Sequence, residues 1–120
     1  MSAIESDPEC LFCRIVAGEV PVELLHEDTE IIAFRDVNPQ APFHCLVIPR
    51  THIATINAIQ PAQAALTGRL LLVAAQLAAA HGCAEDGFRV AMNCNRQAGQ
   101  SVYHIHLHVL AGRQMTWPPG

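Results

Sequence analysis

The densest chemistry in the chain is Tyr103-His104-Ile105-His106-Leu107-His108-Val109-Leu110, where imidazoles alternate with aliphatic side chains. On a strand, successive side chains point to opposite faces, so His104, His106 and His108 share one face and Ile105, Leu107 and Val109 the other. The apolar set belongs in a core and pins the register, which aims all three rings into one pocket. One histidine there would read as structural, but three in strict alternation are hard to explain by packing. Two chemistries suit them. Converging imidazoles can hold zinc or non-haem iron, or a nucleophilic imidazole can stand between imidazole helpers. The carboxylate that could join them is Asp36, although an Asp before Asn-Pro commonly just caps a turn. Cys10-Leu11-Phe12-Cys13 is a second constellation. A lone C-x-x-C needs two more ligands to hold zinc, and two ordinary thiols on a short helix is the plainer alternative. A redox role lacks the surrounding βαβ pattern.

The elements that must position these residues follow from periodicity. Leu11, Phe12, Ile15 and Val16 recur at helical spacing after Asp7-Pro8, and Gly18 ends that short helix. Leu24–Glu27 and Glu30–Arg35 read as strands joined by a turn at Asp28-Thr29. Asn38-Pro39-Gln40-Ala41-Pro42 must be loop, because two prolines restrict themselves and the residues before them. His44–Ile48 reads as a buried strand closed by Pro49. Pro61 opens a long helix that ends near His81-Gly82. Phe88–Met92 is a strand, 93–101 a polar loop, and Val102–Leu110 the last strand. The pattern predicts one α+β domain over residues 1–120: a five-stranded, mainly antiparallel sheet with one long and one short helix. Residues 1–9 are expected to be flexible and 111–120 to form an irregular tail.

Composition narrows the function classes. The chain has 120 residues, is 51% hydrophobic and 15% charged, and carries a net charge of −4; its mean hydropathy is +0.23. Disorder is excluded. Its seven basic residues are all arginine, so no lysine Schiff base or P-loop lysine is available. Without a basic stripe, duplex nucleic acid is not an expected partner. The N-terminal residues lack the basic and apolar regions of a signal peptide. The apolar stretch 62–80 is interrupted by Gln63, Thr67, Gly68, Arg69 and Gln76, so no membrane span is expected. Five cysteines, an odd number, point to reduced thiols and a cytoplasmic location. The long helix is apolar around most of its circumference, whereas a helix packed on one side needs a stripe of only ~100°. That predicts a homodimer formed through residues 61–81, with Leu70 and Leu77 as candidate interface residues and Trp117 near the partner's pocket.

Residues 104–110 fill the pattern His-φ-His-φ-His-φ-φ, with φ apolar. With Phe34–Pro42, His44, Leu46–His52, Asn93, Gly99–Tyr103 and the tail Gly112–Gly120, they identify a resemblance to the histidine triad (HIT) family, Hint branch, from about Cys10 to Gly120. The uridylyltransferase branch carries glutamine where His108 stands, so hydrolysis is implied over group transfer. The resemblance implies a hydrolase that cleaves P–N bonds of purine nucleoside phosphoramidates through a nucleotidyl-histidine and releases AMP or GMP, with no catalytic cofactor. A dinucleoside polyphosphate hydrolase is one alternative, though the Trp117-Pro118-Pro119-Gly120 tail is a Hint feature. A nucleotide-binding module with weak activity is another.

Carried over by position, the resemblance makes His106 the nucleophile and His108 a phosphate contact. His44 supports the catalytic ring, and Ser101 and Asn93 lie near the phosphate and leaving group. Asp36 would accept hydrogen bonds from the ribose. Leu11, Phe12, Phe34, Val37 and Leu46 would surround the base, with Gly99 and Gln100 beside the nucleotide. Some bacterial-type relatives hold structural zinc through positions matching Cys10, Cys13, His52 and His104. The loop Cys94-Asn95-Arg96-Gln97-Ala98 departs from the acidic and glycine residues of many relatives.

Overall fold

A computed structural model describes residues 4–120 of the chain. Helix α1 spans Leu11–Val16, followed by strands β1 (Leu24–Glu27), β2 (Ile31–Arg35) and β3 (Phe43–Pro49). Helix α2 covers Ala64–Ala80, and strands β4 (Phe88–Ala91) and β5 (Leu107–Ala111) complete the fold. The five strands form one sheet in the order β1-β2-β3-β5-β4, with every pair antiparallel.

The local signals explain most boundaries. In the β1–β2 turn, Asp28 Oδ1 accepts the amides of Glu30 (2.8 Å) and Ile31 (2.9 Å). This is the backbone-mimicking turn that Asp favours. Arg69 of α2 reaches the same Asp28 carboxylate at 3.0 Å and Glu30 at 2.6 Å, tying the helix to the turn. Pro61–Gln63 is a 3₁₀ turn leading into α2, and the Gln63 side chain accepts the Gln60 amide at 2.8 Å. At the other end Gly82 takes φ +75°. Its amide bonds Ala79 O, and the next amide, of Cys83, bonds Ala78 O. A left-handed residue followed by these two bonds is a Schellman stop.

The sheet is covered on both faces. On one, Ile31, Ala33, Cys45, Val47, Leu107 and Val109 meet Leu70, Val73, Ala74 and Leu77 of α2. On the other, Ile32, Phe34, Leu46 and Ile48 meet Phe12, Cys13 and Ile15 of α1. Every residue of β3 is buried, as the centre of a two-sided sheet requires.

Several expectations are corrected. Leu70 and Leu77 do not face outward: they lie against the sheet, whereas Leu71 and Leu72 are exposed. Pro61–Ala80 is long and apolar enough to cross a membrane by length and composition, and its sheet-facing residues are part of the core. Residues 1–3 lie outside the described residues. Beyond them, Glu5 O accepts the His52 amide and Asp7 O the Cys10 amide. Strand β5 starts at Leu107, not Val102. Continuing the β3–β5 register past the Val47–Leu107 pair would set Pro49 opposite Ile105, and proline has no N–H to give a ladder. The Ile105 amide bonds Ile53 O instead, at 2.8 Å.

Candidate active site

Although the ladder stops at Leu107, the alternation of faces persists. Ile105 and Leu107 enter the α2-side core, while the rings of His104 and His106 lie at 5.9 and 5.0 Å from the Phe12 ring of α1. The three histidines do not share one pocket. His106 and His108 rings are 5.0 Å apart, but His104 turns away toward the two cysteines and is fully buried.

His106 Nδ1 lies 2.7 Å from the His104 carbonyl oxygen. A carbonyl only accepts, so Nδ1 carries the proton and Nε2 holds the lone pair. His44 is locked the other way: the Gln40 backbone N–H donates to its Nδ1 at 3.0 Å. Its proton therefore sits on Nε2, which donates to His108 Nδ1 at 2.9 Å. His108 must then carry its own proton on Nε2. Neighbouring rings thus offer opposite functions: a nucleophilic nitrogen on His106 and a donor on His108.

His44 supports His108 and not His106. β3–β5 pairing sets Leu46 opposite His108 and brings His44 diagonally beside it. Asp36 splits its carboxylate: Oδ1 accepts the Asn38 amide at 2.8 Å, the turn-capping role, while Oδ2 lies 3.5 Å from His44 Nε2. Burial favours the neutral form of these rings. It pushes His108 down to about 4, helped by His106 and His44 and opposed by Asp36. His44 and His106 are also lowered, chiefly by burial.

The other candidates divide. Phe34 stacks edge-on to Phe12 at 5.6 Å, and Leu46 shares their cluster. Leu11 and Ser101 line a hollow of about 260 Å³ with Asp7, Glu9, Cys10, Val102 and Tyr103. Asn93 follows β4 two residues beyond Ala91, the partner of His108. Gly99 closes a 3₁₀ turn at φ +78°. Val37 is 95% exposed. Gln100 is buried, and its side chain is engaged inside the protein: Nε2 donates to Ala54 O (2.8 Å) and Val102 O (3.1 Å), and Oε1 accepts the Asn95 amide. It braces the loop, with both of its amide hydrogens committed there. The tautomers are set by the Gln40 amide and the Pro49 and His104 carbonyls, and Gln40 and Pro49 were not among the expected site residues. Backbone polar groups leave no signature in residue type.

Cys10, Cys13, His52 and His104 bring four ligand atoms within 4.8 Å of one another. Cys13 Sγ is 3.3 Å from His52 Nδ1 and 3.5 Å from His104 Nδ1, and Cys10 Sγ is 3.5 Å from the latter. Tetrahedral zinc sets S···N at ~3.5 Å, so the spacing fits an ion. The tautomer fits as well. His104 Nε2 donates to Pro49 O at 2.8 Å, which turns the Nδ1 lone pair toward the sulfurs. Each sulfur also accepts an amide, Cys10 from Cys13 and Cys13 from Asp7, both at 3.4 Å. Burial otherwise raises the Cys10 thiol above its ordinary value. Four convergent donors can bind a metal here.

The family model described as HIT domain matches residues 17–115. The chain belongs to the HIT family. This HIT protein is 45% identical to the purine nucleoside phosphoramidase of Escherichia coli over 107 residues, 89% of this chain and 90% of that one. A HIT family hydrolase from Legionella pneumophila superposes with a TM-score of 0.92 at 54% identity, covering 93% of this chain and 100% of that chain. A HIT family hydrolase from Clostridium thermocellum gives 0.90 at 39% identity, covering 92% and 96%.

The buried histidines make stability depend on pH. The unfolded chain binds a proton at His108 below about 6.5, whereas the folded ring does so only near 4. Unfolding free energy should therefore fall as pH drops from 6.5 toward 4. Chemical denaturation across that window checks this, and a flat profile would contradict it.

Proposed function

We propose that this HIT protein hydrolyses the P–N bond of purine nucleoside phosphoramidates, the reaction named for its Escherichia coli relative. The observation that carries the reading is the opposed pair of tautomers: His106 presents a lone pair on Nε2 and His108 an N–H. His106 Nε2 attacks the α-phosphorus, the P–N bond breaks, and the leaving nitrogen departs as an amine after taking a proton from water on the side where Ser101 is exposed. A second water then attacks phosphorus, the nucleotidyl-His106 bond breaks, and one proton returns to solvent as AMP or GMP leaves. His108, neutral, donates to a phosphoryl oxygen whose charge grows in the transition state. In this reading Asp36 accepts hydrogen bonds from the ribose hydroxyls, and Phe12, Phe34 and Leu46 form an apolar wall for the base. Ser101 and Asn93 serve the leaving group.

His106→Ala should lose roughly 10⁴-fold or more in rate while still binding nucleotide, and His108→Ala roughly 10²–10³-fold. Ser101→Ala should lose less. Quenched-flow mass spectrometry with a slow amidate should trap the nucleotide mass on His106. Turnover without that adduct, or faster turnover of dinucleoside polyphosphates than of amidates, would overturn the reading.

The four-donor cluster is read as a structural zinc site. It joins the residues before and within α1, through Cys10 and Cys13, to His52 and His104, and zinc bound there contributes folding energy. One zinc per chain should purify with the protein, and chelation should lower its Tm. Zinc-free protein from metal-replete culture, or an unchanged Tm after zinc removal, would refute this. Reduced thiols at all five cysteines fit a reducing compartment, the cytoplasm.

The exposed side of α2 is read as the surface of a homodimer. Leu71 and Leu72 are 55% and 62% exposed. Beside them lies an apolar hollow of about 450 Å³ bounded by Ile59, Pro61, Ala64, Gly68 and Leu71. A continuous apolar face of this kind marks an interface, and a two-fold axis lets one helix meet its own copy. Sedimentation at micromolar concentration should give a dimer, and Leu72→Glu a folded monomer by circular dichroism. A wild-type monomer would sink the proposal.

A further inference from the structure

We propose that Gly112 and Arg113, in the segment after β5, are positioning residues for the His44–His108 pair, acting through the backbone of Gln40. This rests on the reading of His108 as the donor to the phosphoryl group.

The polarity of the pair rests chiefly on one amide; Asp36 Oδ2, 3.5 Å from His44 Nε2, favours the same tautomer but from a longer distance. Gln40 N–H holds His44 Nδ1 as an acceptor, which makes His44 Nε2 a donor and leaves the His108 proton on Nε2. Yet Gln40 sits in Asn38-Pro39-Gln40-Ala41-Pro42, a segment outside the sheet with two residues that lack an N–H. Within it, the Gln40 side chain donates to Asn38 O at 3.1 Å. The longer-range hold comes from the tail. Arg113 Nε donates to the Gln40 carbonyl at 2.9 Å, on the other side of the same Cα from the amide that meets His44.

Gly112 makes that reach possible. It adopts φ +94°, and a Cβ there would fall 2.8 Å from Pro42 Cβ and 3.1 Å from Pro42 Cγ. Only glycine lets the tail pass this close to the proline ring without strain. The tail is fastened again further on, where Arg89 of β4 donates to Thr116 O at 2.9 Å. Arg113 is exposed, so its bond adds little to stability. Its effect is on aim. With the Gln40 peptide free to turn, His44 can carry its proton on Nδ1. The hydrogen bond to His108 then reverses, and His108 Nε2 becomes an acceptor where a developing phosphoryl charge needs a donor. A defect confined to the transition state lowers kcat and spares KM.

The test uses full-length protein and a purine nucleoside phosphoramidate, with circular dichroism to confirm folding. Arg113→Ala should lower kcat about tenfold with KM changed less than about twofold, short of the ~100-fold expected for a 1 Å displacement. Arg113→Lys, which keeps one donor, should restore at least half of the lost rate. Histidine ring-nitrogen shifts in isotope-labelled protein should show His44 wholly protonated on Nε2 in the wild type and a mixture of tautomers in Arg113→Ala. Gly112→Ala should give the same mixture. An unchanged kcat in Arg113→Ala overturns the proposal, and so does a fall in kcat with unchanged His44 shifts. Should the wild type prove inert toward amidates, the functional reading fails, and the nitrogen shifts alone decide whether the tail sets the tautomer.

Discussion

A neutral imidazole has one nitrogen that donates and one that accepts, and the site depends on backbone groups that can play only one of those parts. His106 meets a carbonyl, His104 meets a carbonyl and His44 meets an amide. Because the rings are buried, protonating both nitrogens is costly, and each ring is held in one polarity. The lone pair of His106 and the N–H of His108 follow from this. So does the lone pair that His104 turns toward Cys10 and Cys13. One residue serves both clusters: His104 gives its ring to the thiols and its carbonyl to His106 Nδ1.

The sheet makes these meetings possible by keeping its two faces separate. Odd-numbered residues of β3 and β5 (Cys45, Val47, Leu107 and Val109) bury against α2. The even-numbered His44, Leu46, His106 and His108 look toward α1. A helix of only six residues suffices on that side because Phe12 fills the space between Phe34 and the rings of His104 and His106. The same turn of chain that supplies this aromatic wedge delivers both cysteines. Two of the four cluster donors and the aromatic ring packed against His104 and His106 therefore come from one short stretch of chain.

Much of the fold was legible because local rules and burial agreed. The stop of α1, the Asp28 turn, the opening of α2 at Pro61 and its end at Gly82 each follow from a residue with a specific backbone preference. The histidine alternation was legible for the same reason, since period two survives even where the ladder does not. The start of β5 was misread because residues 102–106 have the composition of a strand, and composition says nothing about whether a partner can donate. Leu70 and Leu77 were misread because α2 is apolar nearly all round. Periodicity then cannot tell which side meets the sheet, and packing decides it.

By itself the amino-acid sequence determined which residue types carry the chemistry, which of them share a face, and the family to which such a pattern belongs. These are properties of spacing along one chain. Tertiary structure alone decided that His104 leaves the triad for the cysteines, that His44 pairs with His108, that Gln100 is spent on its loop and that Val37 stands in solvent. It also decided which ring nitrogen carries each proton. Those outcomes depend on backbone amides and carbonyls distant in sequence, which every residue type presents almost alike, so they acquire meaning only when the fold brings them to a side chain.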